Sequence, residues 1–456
     1  MLTTPHRSFS SHLQTPKIKL RLLGALLASC VSAPVNALSL MESYKSALDN
    51  DPQFQGARFD RIAGDENRAI GLSGLLPSVG ASYSFSKNDS DRSIGNAPAE
   101  LLQYDSKVMS LSLRQPLFNM DAWQRFKAGE KQVSYSDAKF AANAQNLITR
   151  LTTAYLDALL AESQLLLTIA QRDAYFENQI LNTQMFEKGA GTRTDMLETR
   201  ARYELAQAQV AEAQGNVASR RNEFAVIIGR DPGALDSLIG MLPELPVTPA
   251  TLLEWEQLAR ERNPDILSQR YAFEYTQTEV ERIRAGHYPR VDFVASHSRN
   301  TADSLFTYNQ QSTTNSVGMQ MSLPIYSGGL VNAQTRQATA KLASSRAELD
   351  LATQKTLVEV RKQFPLLSNA LTRIRAMQQA ELAAAETVEA TRKSVAGGQR
   401  VNVDVLNAMQ QLYTTRRDLA DARHSYLLAY LRLHAAAGIL DEKSLGTIAT
   451  CFQANP

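Results

Sequence analysis

Residues 78–86 read SVGASYSFS, so that Val79, Ala81, Tyr83 and Phe85 alternate with Ser78, Gly80, Ser82, Ser84 and Ser86. A period of two places the apolar set on one face of a β-strand and the small, hydroxyl-rich set on the other. The run MSLSLRQP at 109–116 repeats the pattern, with Met109, Leu111 and Leu113 opposite Ser110, Ser112 and Arg114. Farther along, Val291, Phe293 and Ala295 alternate with Asp292, Val294 and Ser296, and Val317, Met319, Met321 and Leu323 with Ser316, Gly318, Gln320 and Ser322. These read as four strands of about ten residues, the length at which a tilted strand crosses a membrane. Leu111, Phe293 and Met321 then face lipid, while Ser112 and Gln320 face a water-filled lumen. Four strands are too few to close a barrel, and an open edge in hydrocarbon leaves backbone groups unpaired at several kcal/mol each. The membrane reading therefore requires several copies to share one barrel. Its competitor is a pair of exposed hairpins on a soluble sheet.

Outside the strands the period changes. No proline occurs from Leu117 through Asp231, and TAYLDALLAESQLLLTIAQRDAYFENQILNTQMF at 153–186 combines strong helix formers with apolar residues three and four apart. One helix over Asp121–Lys188 would be about 100 Å long. The stretch GAGTRTDML at 189–197 breaks it, and a return helix continues through Ile227. A second long helix ends at Ala396, with Pro365 expected to kink it. There GQRVNVDVL at 398–406 repeats the break, with a Gly, an Asp six residues on and a Leu two further, before a return helix from about Val401 to Ala437. Each break reads as the tip of a hairpin of two antiparallel helices, with Gly189 and Gly398 supplying the turns. Alanine recurs on both faces of these helices, which permits packing against more than one neighbour, unlike the narrow seam of a lone coiled coil.

The two halves correspond. Pro52 and Pro264 are 212 residues apart, as are Pro77 and Pro289; Pro116 and Pro324 are 208 apart, and Gly189 and Gly398 are 209 apart. The period is too long for a solenoid and fits a duplicated module. The first repeat spans 38–228, with a strand hairpin at about 77–116 and a helix tip at 189–195. The second spans 263–437, with a strand hairpin at about 289–324 and a tip at 397–404. Residues 229–262 form a linking segment, and 438–456 a tail expected either to lie as a belt outside the hairpins or to be disordered.

Residues 1–37 carry Arg7, Lys17, Lys19 and Arg21 without an acid, then the apolar run LLGALLASCV and small residues ending in VNA at Ala37, the pattern of an export signal. The apolar run is far short of the roughly 20 residues of a spanning helix, and the rest of the chain offers no longer one. LASC at 27–30 also fits the approach to a lipidated cysteine, and this stands as the alternative. Without lipidation the exported chain keeps one thiol, Cys451, and no intrachain disulfide. Beyond the signal 44 bases face 46 acids, a net charge of −2, which gives no electrostatic reason to bind nucleic acid.

LSLMESYKSALDNDPQF at 38–54, the strand entry LPSV at 76–79 and, above all, GQRVNVDVLNAMQQLYTTRRDLADARHSYLLAYLRLHAAAG at 398–438 carry a likeness. By these stretches the chain after Ala37 resembles the TolC family of outer-membrane channels. The start of the mature chain is most similar to members that serve type I secretion. The resemblance implies an α+β membrane protein in the cell outer membrane: a homotrimer whose four strands per chain complete a twelve-stranded β-barrel, continued by a long α-helical periplasmic barrel. It also implies a periplasmic adaptor and an inner-membrane ABC transporter as partners, with an exported protein passing through. Asp404 matches the family's first constricting acidic position, Arg400 the position that tethers neighbouring coils through Thr194 and Asp195, and Asn407 stands at the second acidic position. The other readings are a drug-efflux channel of the same fold and, in a different class, a coiled-coil scaffold without a channel.

Enzyme chemistry finds no foothold. CxxC, HExxH and P-loop motifs are absent, and GAGTRT at 189–194 follows a helix, where a phosphate loop follows a strand. His287 and His297 flank a strand, and the ten-residue spacing of His424 and His434 does not pair them as ligands on a helix. No nucleophile elbow unites the Ser, His and Asp residues. No metal and no cofactor are expected. Mass spectrometry of the purified protein should give a mature chain beginning at Leu38; an acylated Cys30 at the N-terminus would overturn that reading.

Overall fold

The computed structural model describes residues 37–453 apart from 94, 97, 305 and 306. The signal segment and Cys30 lie outside the described residues. Helix formation starts with two matching joints. Helix α1 (Leu40–Asn50) meets α2 (Pro52–Ser73) at Asp51, and α5 (Leu252–Arg262) meets α6 (Pro264–Arg284) at Asn263. In both, proline occupies the first helical position, where its missing N–H costs no hydrogen bond, and the residue before it caps the helix. Asp51 Oδ2 accepts from Phe54 N at 2.9 Å, and Asn263 Oδ1 accepts from Ile266 N at 3.1 Å. The buried Asp51 carboxylate is met by Arg150 at 2.7 Å, whereas the neutral Asn263 donates to Ala436 O at 2.9 Å.

The strands are β1 (Ser78–Arg92), β2 (Glu100–Asn119), β4 (Arg290–Ser304) and β5 (Thr307–Ser322), and they form one sheet in the order β1-β2-β4-β5. Every pairing is antiparallel, and at the end nearer the helices the register aligns like with like, whereas farther out Leu111 meets His297 and Met109 meets Arg299. Val79, Leu113, Ala295 and Val317 form one row; the next is Gly80, Ser112, Ser296 and Ser316. Ser82 and Ser110 hydroxyls join at 2.7 Å, and those of Ser296 and Ser316 at 2.6 Å. Leu111 and Met321 lie on the apolar face, and Ser112 and Gln320 on the hydroxyl face, so a one-residue slip would invert every row. Arg114 pairs with the buried Asp292 on the hydroxyl face.

The strands are 15, 20, 15 and 16 residues long rather than about ten. The ladder outruns the apolar band because backbone pairing does not need apolar side chains: the polar Ser86–Arg92 pairs with Glu100–Ser106. At its other end β2 slips register between Pro116 and Phe118, where proline offers no N–H to the ladder. Asn119 then caps α3 (Met120–Glu187), its Oδ1 accepting from Ala122 N at 3.1 Å.

Helix α3 is 68 residues long and returns as α4 (Arg193–Ile228); α7 (Leu330–Ala396) returns as α8 (Asn402–Ala436). Pro365 removes one ladder N–H from α7 without ending the helix. Among the described residues no helix is long and apolar enough to cross a membrane. The main core lies midway along the helices, where Trp255, Tyr155, Tyr426, Phe224 and Leu151 are fully buried. Residues 438–453 fold onto it as α9 (Glu442–Ala449) and β6 (Phe452–Gln453), and β6 pairs with β3 (Ser237–Leu238). Burial there pushes the Cys451 thiol up to about 11.

The apolar face of the sheet is bare in the single chain: Met319 is 75% and Tyr83 68% exposed. Lipid is the cover that fits it. An Arg near the middle of a lipid-facing band costs about 2–4 kcal/mol, incurred once per copy. Val317→Arg, in the middle of the apolar rows, should therefore abolish assembled, heat-modifiable oligomer in outer-membrane fractions, whereas Ser316→Arg should leave it. Equal yields would refute the assignment of faces.

Candidate functional site

The two helix tips close in the same way. At the end of α3, Gly189 takes φ +73° and Ala190 N donates to Met185 O at 2.8 Å. At the end of α7, Gly398 takes φ +73° and Gln399 N donates to Ser394 O at 2.9 Å. Space is open around both glycines, so it is the left-handed backbone and not crowding that calls for glycine.

The return helices start differently. Thr192 caps α4: its Oγ1 accepts from Asp195 N at 3.1 Å and donates to Asp195 Oδ2 at 2.5 Å. Val401 has no side-chain oxygen to offer α8, and Asp404 N bonds only to the Val401 carbonyl, at 3.1 Å. Asp404 therefore lies in an uncapped first turn, where the helix dipole favours its negative charge. Thr194, Arg400 and Asn407 are exposed, and Asp195 and Asp404 are half-buried. Within one chain Arg400 meets neither Thr194 nor Asp195: among the described residues Arg400 and Asp404 form no side-chain hydrogen bond or ion pair, and the Asp195 carboxylate is engaged by Thr192.

The tips hold further polar residues that the sequence did not single out. Thr199 is fully buried; its Oγ1 donates to Asp195 O at 2.7 Å and accepts from Asn182 Nδ2 at 2.8 Å and Asn402 Nδ2 at 3.2 Å. One hydroxyl thus joins α3, α4 and α8. Beside it Arg202 Nη1 donates to Gln410 Oε1 at 2.5 Å and Nη2 to Asn407 Oδ1 at 3.3 Å. A small apolar core of Tyr175, Ala206, Val388, Val405, Leu406, Met409 and Leu412 lies behind these bonds. Sequence patterning misses Asn182 and Thr199 because both sit in helices whose other polar residues are largely solvated.

The histidines among the described residues have local partners. His424 Nε2 lies 2.8 Å from Asp157, and His297 Nδ1 lies 2.6 Å from Asn315. His434 Nδ1 donates to Tyr430 O at 2.9 Å, and burial against Trp255 holds its ring below the usual histidine range. Among the described residues no group of three or more His, Cys, Asp or Glu could hold a metal ion.

With the geometry in place, comparison with known proteins gives a consistent set. The family model described as "Outer membrane efflux protein" matches residues 43–230 and 255–439. The chain is 39% identical over 443 residues to the proteases secretion protein PrtF of Dickeya chrysanthemi, covering 94% of this chain and 95% of that protein. It is 41% identical over 421 residues to the alkaline protease secretion protein AprF of Pseudomonas aeruginosa, covering 91% and 88%. To the outer membrane protein TolC of Escherichia coli it is 29% identical, covering 93% and 87%. The crystal structure of the outer membrane protein VceC from Vibrio cholerae superposes with a TM-score of 0.75 at 18% identity, covering 88% of this chain and 96% of that one, which establishes the likeness of fold.

Thr199→Val keeps the shape and removes the hydroxyl, leaving the Asn182 and Asn402 amides without their shared acceptor at about 1–3 kcal/mol. Trypsin should then cut native protein at Lys188, Arg193 or Arg400 several times faster, while the overall melting transition barely moves. Unchanged cleavage would mean that the Thr199 bonds do not hold the tip.

Proposed function

The chain belongs to the outer membrane efflux protein family, and on that premise we propose that it forms the exit duct of a type I, ABC-transporter-dependent protein secretion system. It is an outer-membrane channel with a helical periplasmic extension, and channels of this family work with adaptor proteins and inner-membrane transporters. The observation that carries the secretion reading is the identity of 39% and 41%, along nearly the whole chain, to two protease secretion proteins, against 29% to TolC. The chain is a passive conduit in this reading: it catalyses no reaction and holds no cofactor, and the partner transporter drives the exported protein. Deleting the gene should abolish extracellular appearance of the protein exported by that transporter while leaving drug resistance nearly unchanged. Lost drug resistance with intact secretion would establish an efflux channel instead.

The functional unit is a homotrimer. Among the described residues β1 and β5 each pair on one side alone, and they run in opposite directions. The β5 of one copy can therefore take the β1 of the next in the antiparallel sense used throughout, and an even number of strands per chain lets the ring close. Three copies give the twelve strands of the family barrel. The two repeats, each a strand hairpin followed by a helix hairpin, then contribute alternate segments around the wall.

The helix tips form the periplasmic gate. Asp404 supplies an acidic ring, and Arg400, which has no side-chain partner among the described residues of its own chain, reaches Thr194 and Asp195 of a neighbouring coil. An exposed pair of this kind is worth about 0–1 kcal/mol. Such a latch is weak enough for an adaptor to release. Asn407 leaves one acidic layer where the family pattern has two, which lowers the field that draws cations in. In planar bilayers Arg400→Ala should raise the resting conductance without loss of the oligomer, and Asp404→Ala should reduce cation selectivity. If both variants conduct and select like the parent, the motif is only a turn.

A further inference from the structure

Arg202 on α4 joins the two helix hairpins of one chain. Its two donors reach Asn407 and Gln410, which are three residues apart on α8 and so share a face. Three residues earlier on α4, Thr199 accepts from Asn402 at 3.2 Å. Among the described residues these are the side-chain hydrogen bonds that connect α4 to α8, and they form two successive levels backed by Ala206, Leu406 and Met409 of the tip core.

The chemistry of the upper level differs from that of an ion pair. Both acceptors are neutral amide oxygens, and among the described residues no carboxylate lies within ion-pair distance of Arg202. A guanidinium on neutral oxygens forms charge-assisted hydrogen bonds while keeping its full positive charge. Salt screens an exposed ion pair but removes little from such bonds. At the level of Asn407 each copy therefore contributes a cation, one turn from the anion at Asp404. An aspartate at position 407 would cancel that cation; asparagine keeps the tie and leaves the charge.

We propose that Arg202, with Asn407 and Gln410, is an intrachain tie of the gate that holds the Asp404 turn of α8 against α4 and offsets the charge of the acidic ring. Arg202 is a positioning and selectivity residue. The proposal rests on the reading of the helix tips as the gate. It separates two tasks: Arg400 links neighbouring coils, whereas Arg202 keeps the two hairpins of one chain moving as a unit.

The test uses purified oligomers in planar bilayers, with resting conductance and the potassium-to-chloride reversal potential as readouts, and oligomer yield and heat-modifiable migration as controls for folding. Removing charge-assisted bonds should shift the open-to-closed ratio on the order of tenfold. Arg202→Ala should raise resting conductance and increase cation preference together. Arg202→Lys keeps the charge but lacks the two-pronged reach, so conductance should rise while selectivity stays. Asn407→Asp should leave conductance low and increase cation preference. Combining Arg202→Ala with Asn407→Ala and Gln410→Ala should add little to Arg202→Ala alone, since all three remove the same tie. If Arg400→Ala opens the channel and Arg202→Ala changes neither readout, the tie is refuted and the gate stands. Fully additive effects would likewise refute the tie. If Arg400→Ala and Arg202→Ala are both silent, the gate reading falls and the tie with it.

Discussion

The constraint on which the rest of the structure depends is the hydrogen bonding of the two outer strand edges. A backbone N–H or C=O in hydrocarbon has no water to turn to, and β1 and β5 each present a full row of such groups on their outer side. That requirement fixes more than the barrel. Strands continue into helices at Asn119 and, by way of Pro324 and Gly329, into α7, so the spacing of strands around a closed ring also spaces the helices beneath. In such a ring each long helix would meet helices of its own chain on one side and a neighbouring copy on the other. Leu166, Leu205, Val226, Leu351 and Val358 are exposed in the single chain, and such residues acquire partners once copies stand side by side.

Duplication gave the two repeats one backbone plan and left the side chains free to diverge. The prolines after Asp51 and Asn263 make the same joint, but one joint carries a buried charge met by Arg150 and the other a neutral amide bonded to α8. The turns at Gly189 and Gly398 share a φ of +73°, but α4 has a threonine cap and α8 has no side-chain cap. Thr192 both caps its helix and occupies the Asp195 carboxylate. Asp404 has no such neighbour and keeps its charge available. The two tips therefore differ in charge: the Asp195 carboxylate is engaged within its own turn, and among the described residues that of Asp404 is not.

How far the sequence foretells this structure depends on whether a residue's role is periodic. The faces of the strands are legible because Val79, Leu111 and Met321 keep a period of two, which places them on one face of the sheet. Strand length is not legible from the same signal, since Ser86–Arg92 continues the ladder after the apolar alternation has ended. The glycines at the tips announce themselves because few other residues accept positive φ. Thr199, Asn182 and Arg202 do not, because a buried threonine in a helix reads like a solvated one, and pairings such as Arg202 with Gln410 span 208 residues. His434 is legible only as a histidine in a helix; its place against Trp255 comes from a contact between α5 and α8 that no local pattern encodes.

The buried core is unevenly distributed along the helices. Around the equator Trp255, Tyr155, Tyr426 and Phe224 are wholly buried, and α9 and β6 close over them. At the tips the apolar core is a handful of residues, and its largest members, Tyr175 and Met409, accept hydrogen bonds from Gln171 and Asn178. Free energy of local opening follows buried apolar area, so the tips occupy the low end of the stability scale and the equator the high end. The hydrogen bonds of the tips fix direction while contributing modestly to stability.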